Sequence, residues 1–398
     1  MPQGPLDGIA VLEFASLAPA PFACTVLSDL GAEVLRVDRP GGAEKPVPTP
    51  PAAGGRDNSA GSGDGAPPEP LGRGRRSVGV DLKHPAGIEV ALRLAGRADV
   101  LVEGFRPGVM ERLGLGPKSC LARNPRLVYA RMTGWGQDGP LAPTAGHDIN
   151  YLALSGALEP LGPADGPPLP PSNYVADFGG GGMLLAVGVL AALVERASSG
   201  RGQVVDAAMA EGAALITSLM HGLRAQGLWE RDRGRNLFDG SAPFYTTYAC
   251  ADGRFIAVGA VEPQFYAQVL YGLGLTGELD PALQYDREGW PRTRRRFAEI
   301  FATLDRDAWA ERFAGTDACV TPVLSPWEAH QHPHNVARRT FTEVAGLRQP
   351  APAPRLSRTP GAVQGPAPAP GQHTAAALRD WGFDAKEIGR LRASGAIG

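Results

Sequence analysis

Apolar positions near the start of the chain follow two alternating periods. Ile9 to Phe14 is a short apolar run of strand type, Phe22 to Leu30 has apolar residues at helical spacing, and Glu33 to Val37 returns to the strand pattern. With a connecting loop at Ala15 to Pro21, this reads as a βαβ unit. The alternation resumes later: Ala86 to Ala98 is predicted helical, Val100 to Gly104 and Leu127 to Gly136 extended. Such a sequence of elements predicts an α/β fold with a large Rossmann-like domain and a mostly parallel sheet. Glycines 179 to 182 lead into an apolar helix that Gly200 to Gly202 closes. Its apolar core, Met183 to Val194, is interrupted by glycine and too short to span a bilayer.

Further on, Tyr245 to Cys250 and Arg254 to Val261 flank Ala251-Asp252-Gly253, the strongest hairpin signal in the chain. They predict a smaller α+β domain. Gln349 to Pro370 is proline-rich and reads as an extended strap, followed by a helix from Asp384 with Glu387 at the capping-box position. The expected organisation is a large domain over 1–229, a small domain over 230–330, and a strap with a C-terminal helix over 331–398. Between Gly41 and Pro70 the composition shifts to Pro, Gly, Ala and Ser. Too few large apolar residues remain there to offset the entropy of ordering, and a mobile surface loop is expected.

Length and composition narrow the functional classes. At 398 residues the chain exceeds the roughly 250–300 at which single cores stop growing, so two lobes are expected. A formal net charge of -2 supplies no broad positive field for nucleic acid, which leaves a small molecule or a protein as partner. The four cysteines show no CxxC pair, so neither a disulfide framework nor a zinc site is expected. The first strand begins almost at Met1, and the chain ends in Ala-Ile-Gly rather than a Ser-Lys-Leu address. Cytoplasm is the expected location. The turn after the first strand lacks the glycines of GxGxxG, which argues against a dinucleotide.

Several residues invite a chemical reading, each beside a structural one. His147 lies in the polar cluster Ala145 to Tyr151, after a glycine and before apolar Leu152, where it suits a functional loop or simply a helix start. Asp148 is a natural helix N-cap. Asp177 precedes four glycines, so a ligand could approach it closely, and the positive end of the following helix would favour its ionised form; an N-cap role is the alternative. Glu262 stands between an apolar strand and a helix, where a solvated acid is equally at home. Arg73, Arg75 and Arg76 form the densest basic segment of the first lobe and with Arg39 could clamp phosphates, or could be surface residues. His330, His332 and His334 alternate, but Gln331, Pro333 and Asn335 make the segment a polar turn, and no metal site is expected.

At these residues the chain resembles the α-methylacyl-CoA racemases, a branch of the family III CoA-transferases. The likeness runs in order through residues 17–22, 36–40, 71–77, 146–151, 176–181, 239–248 and 258–266, nearly the whole length. It implies that His147 and Asp177 are the two acid/base groups and that Glu262 supports the histidine, fixing its tautomer and favouring its charged form. It assigns Arg39, Val80, Asp81, Leu82 and Lys83 to the CoA ester, together with Gly146, His147, Asp148, Ile149, Asn150 and Tyr151. It also implies an interlocked homodimer with active sites at the subunit interface, and a strap that returns to the large domain. The implied reaction inverts the α-carbon of a 2-methylacyl-CoA thioester through an enolate, with no cofactor beyond the CoA of the substrate. The rival within the family is a CoA-transferase in which Asp177 is the nucleophile.

Overall fold

The computed structural model describes residues 4–41, 70–230 and 232–398. The segment expected as a mobile loop lies outside these residues, its end points Gly41 and Pro70 excepted. The chain divides into two compact units: one of residues 1–155, 172–215 and 339–398, the other of 156–171 and 216–338. Segments 156–171 and 216–229 thus group with the second unit, and the C-terminal stretch with the first.

Six strands form the sheet of the first unit: β1 (Ala10–Phe14), β2 (Glu33–Asp38), β3 (Arg75–Gly79), β4 (Val100–Glu103), β5 (Val128–Thr133) and β6 (Val204–Ala208). Their order is β3-β2-β1-β4-β5-β6 and every pairing is parallel, as the alternation of elements predicts. The interior strands β4 and β5 are buried throughout, because helices cover both faces of such a sheet. The chain reverses its direction of travel across the sheet between β1 and β4. Open α/β sheets bind ligands outside the carboxyl ends of the strands at such a point. Helix α1 (Pro19–Asp29) starts three residues before the expected Phe22, since Pro19 opens it without sacrificing a needed N–H.

Charges sit inside this sheet, where apolar side chains are the rule. Glu13, Arg36, Asp38, Arg75, Glu103 and Arg131 are each no more than 6% exposed, and each has an opposite partner. Arg75 donates its Nε–H to Glu13 at 2.6 Å, with both side chains fully buried. The same guanidinium donates to the Thr25 hydroxyl and the Pro21 carbonyl, which ties edge strand β3 and inner strand β1 to α1. Two residues away, Arg73 bridges Asp29 at the end of α1 and donates to the Gln349 side chain and the Pro350 carbonyl. The proline-rich segment begins in the second strand of the hairpin Phe341–Val344 and Leu347–Pro350 and has no helix or strand beyond it until Thr374. Its amide at Ala362 donates to Asp29, and its Gly365 carbonyl accepts from Gly74. The last helix, Ala385–Ala393, is capped by Asp384, whose carboxylate accepts the Glu387 amide at 2.8 Å.

Tyr174–Met183 winds as a π-helix and runs directly into the α-helix Leu184–Ser199, which ends at Gly200 in the left-handed region (φ 73°). The whole run, 26 residues, exceeds the apolar core read from the sequence and is long and apolar enough to cross a membrane by length and composition. Here it packs against α1, β5 and β6. Glycine permits that packing: a Cβ on Gly212, in the helix Met209–Ile216, would lie 1.8 Å from the Gly180 carbonyl oxygen.

The second unit holds a three-stranded antiparallel sheet of Tyr245–Ala249, Phe255–Gly259 and Val320–Pro322, whose first two strands are the expected hairpin. Phe244, Tyr248, Tyr266, Phe297, Phe301 and Trp309 build its core.

Three substitutions test this account. Glu13→Gln leaves the Arg75 charge buried and uncompensated, and denaturant unfolding is expected to show a loss of about 3–5 kcal/mol; a loss under about 1 kcal/mol would mean the pair is dispensable. Gly212→Ala should cost about 1–3 kcal/mol by overpacking. Gly222→Ala, in a helix with nothing within 4 Å of the added methyl, should be neutral or stabilising by under about 1 kcal/mol.

Candidate active site

The carboxyl ends of the parallel strands lie along one edge, and most of the residues singled out in the sequence follow them. Arg39 comes directly after β2 and is exposed. Val80 to Lys83 follow β3: Val80 is buried, Leu82 is partly buried, Lys83 is exposed, and the Asp81 carboxylate accepts the Lys83 amide at 2.9 Å. Arg75 and Arg76 do not join them. They open β3, at the amino edge of the sheet, and their guanidinium groups are committed, Arg75 to Glu13 and Arg76 to Glu33 and Asp380. The expectation that they clamp phosphates is corrected: a parallel strand delivers its first and last residues to opposite edges.

Beyond β5, the chain passes through Gly134 and Trp135 to Gly146. The Tyr151 ring meets Trp135 edge-on at 4.7 Å and donates its hydroxyl to the Gly146 carbonyl at 2.5 Å, fixing the segment before His147. A Cβ on Gly146 would lie 2.7 Å from that ring. Burial drives the Tyr151 pKa up to about 12, so the hydroxyl stays a donor. His147 immediately precedes the helix Asp148–Ser155. Its amide donates to the Asn150 side chain at 3.1 Å and its carbonyl accepts the Asn150 amide at 2.8 Å. The imidazole itself is exposed, and so is Ile149.

Asp148 is only 5% exposed and does not serve the helix it opens. One of its oxygens accepts the amides of Ala176 and Asp177, each at 2.8 Å. A π-helix leaves its first-turn amides without partners, and Asp148 supplies one from outside.

Asp177 therefore lies within the first turn of the π-helix rather than before an α-helix. It is half-buried, and Asn173 donates to its carboxylate at 3.2 Å. Burial pushes its pKa up, the Asp148 charge adds to the rise, and the Asn173 hydrogen bond and the nearby His147 oppose it. This corrects the expectation that a helix field would favour ionisation. His147 lies closely enough to Asp177 for its charge to act on the carboxylate. Gly179 to Gly181 lie within the π-helix.

Glu262 belongs to the second unit, where it precedes the helix Pro263–Gly272 with its side chain exposed. Its neighbours are Tyr285 and Cys319, whose pKa values rise through burial first and the Glu262 charge second. Two residues escaped the sequence reading. Asn173 was legible as the position four before Asp177, a helical neighbour. Arg106, exposed after β4 and near enough for its charge to act on Tyr151, was marked by the Phe105-Arg106-Pro107-Gly108 turn that follows a strand.

Known proteins share this framework. The chain is similar to alpha-methylacyl-CoA racemase of Mus musculus, 48% identical over 388 residues, covering 97% of this chain and 96% of that one. It is similar to alpha-methylacyl-CoA racemase of Homo sapiens, 46% identical over 394 residues, with 98% and 97% covered. A CAIB/BAIF family protein from Brucella suis, 24% identical, shares the fold with a TM-score of 0.77 over 95% of this chain and 100% of that one. The family model described as CoA-transferase family III matches residues 6–374, and the chain belongs to that family.

Proposed function

We propose that the protein is a racemase that inverts the α-carbon of 2-methylacyl-CoA thioesters by 1,1-proton transfer. The observation that carries this reading is the pairing of His147 with Asp177, whose carboxyl is held ready to keep a proton. Inversion needs two groups flanking one carbon. One takes the α-proton, the electron pair moves onto the thioester oxygen as an enolate, and the other returns a proton to the opposite face. For one enantiomer Asp177 is the base while His147 donates; for the other the roles reverse, and each turnover leaves the pair in the opposite protonation state. Neither step calls for a metal or redox cofactor.

Arg39, Val80 to Lys83 and the segment Gly146 to Tyr151 lie along the edge that would hold the CoA ester. The enolate oxygen needs donors, and the amides of Asp148 and Ile149, which open the helix Asp148–Ser155 ahead of the Asn150 and Tyr151 amides bound by the His147 carbonyl, are the ones nearest His147 in sequence. In this reading Glu262 hydrogen-bonds the His147 imidazole and fixes its tautomer within a homodimer. An apolar face supports the dimer: Met183, Val187 and Val194, exposed by 45%, 58% and 73%, line one side of a single helix with Ala191 between them. Patches of this kind mark protein interfaces. The transferase alternative draws on family membership and on the partial exposure of Asp177, which a nucleophile requires.

Incubating a 2-methylacyl-CoA with the protein in heavy water decides between them. Deuterium is expected at the α-carbon with no acyl acceptor present, slowed at least about 10²-fold by His147→Ala or Asp177→Asn. CoA transfer to an added free acid without α-exchange would sink the racemase reading. The pH profile provides a second check. For the enantiomer that Asp177 deprotonates, the ionised carboxylate is required, so kcat/KM should fall as pH drops, with a midpoint above the ordinary aspartate value of about 4. Asn173→Ala removes a hydrogen bond to the ionised form and should move that midpoint upward; a downward movement would contradict the assignment of the base.

A further inference from the structure

Asp148 poses a question that capping alone does not answer. One of its oxygens satisfies both amides, while the other is buried with no hydrogen-bond partner among the described residues. A neutral asparagine would accept the same two amides without placing a charge in a buried site, a costly arrangement. What a carboxylate adds is its charge, and the proton carriers stand on either side of it.

We propose that Asp148 is a positioning residue that couples the two proton carriers, holding the backbone at Asp177 through two amides while its own backbone carries His147 as the preceding residue. The inference rests on the proton-transfer reading above and deepens it. A single side chain fixes the distance between two groups that come from segments 30 residues apart in sequence, so the carbon between them meets a preset geometry. Its charge acts on Asp177 as well, opposing ionisation and helping the carboxyl hold the proton it must deliver in one direction.

Other charges do not compete for that role. His147 acts on Asp177 in the opposite sense, and Tyr151 lies on the helix that Asp148 opens. The ionisable groups on the remaining elements packed against the π-helix are engaged elsewhere. Asp29 of α1 is paired with Arg73, and Cys24 lies beside Glu13 and Arg75. Arg131 of β5 is paired with Glu103 and Glu111, and Asp206 of β6 accepts the Gln137 amide. On the long α-helix, Arg196 pairs with Asp99 and Glu195 accepts from Ser199, while Glu211 is exposed beside Gly212.

Full-length Asp148→Asn and Asp148→Ala variants separate the two contributions. Asparagine should keep amide-hydrogen protection across residues 174–183 and keep kcat for α-proton exchange within about tenfold, while moving the acid limb of the Asp177-dependent direction down by about one pH unit. Alanine should lose amide protection at 174–183 and slow exchange about 10²-fold with KM little changed. Unaltered protection in the alanine variant would overturn the tether. An asparagine variant as slow as alanine, with its acid limb unmoved, would overturn the coupling and leave a plain helix cap. If the unaltered protein exchanges no α-proton at all, the racemase reading fails, and amide protection alone then decides whether Asp148 holds the segment.

Discussion

The Glu13–Arg75 pair is the constraint from which much of the first unit follows. A charge enclosed by a sheet and its covering helices cannot be left to solvent, so it must meet its partner inside the fold. Arg75 does so by crossing over β2 to reach β1 and by turning its remaining donors onto α1. That commitment fixes where α1 lies. It also fixes what lies against α1, because the π-helix packs there and Phe22 meets Phe178 at 4.9 Å. The position of Asp177 is thus set in part by an ion pair that runs from the first residue of β3 to the carboxyl half of β1.

The electrostatics of the site are balanced in a way that suits proton transfer in both directions. A strongly acidic Asp177 would take a proton poorly, and a fully neutralised one would give it up too slowly. Burial and Asp148 push it one way, and Asn173 and His147 push it the other. The opposing groups include His147, the second proton carrier of the proposed reaction.

Much of the architecture was legible in the chain. The βαβ start, the hairpin around Asp252-Gly253 and the Asp384 cap each rest on local chemistry that acts over a few residues, and the structure keeps them. The proximity of His147 and Asp177 became legible only through the family likeness, since 30 residues separate them. Arg75 and Arg76 show where local reading ends. A basic run states the charge but not the sheet edge to which it is delivered, nor that Glu13 lies within reach from 62 residues away. The π-helix escaped for a different reason. Four successive glycines read as a break before a helix, but they lie within one, and at Gly180 and Gly182 a neighbouring backbone comes within 2.7 Å of where a Cβ would stand.

Those glycines carry a thermal consequence. Each glycine within a helix forgoes about 1 kcal/mol relative to alanine, so the run from Gly179 to Gly182 owes its winding to its neighbours rather than to its own preference. A segment supported in this way is the first to loosen when its neighbours begin to move. Asp177 stands on its first turn. Heating is therefore set to disable this protein by local melting around Asp177 while the surrounding sheet, pinned by its internal charges, is still intact.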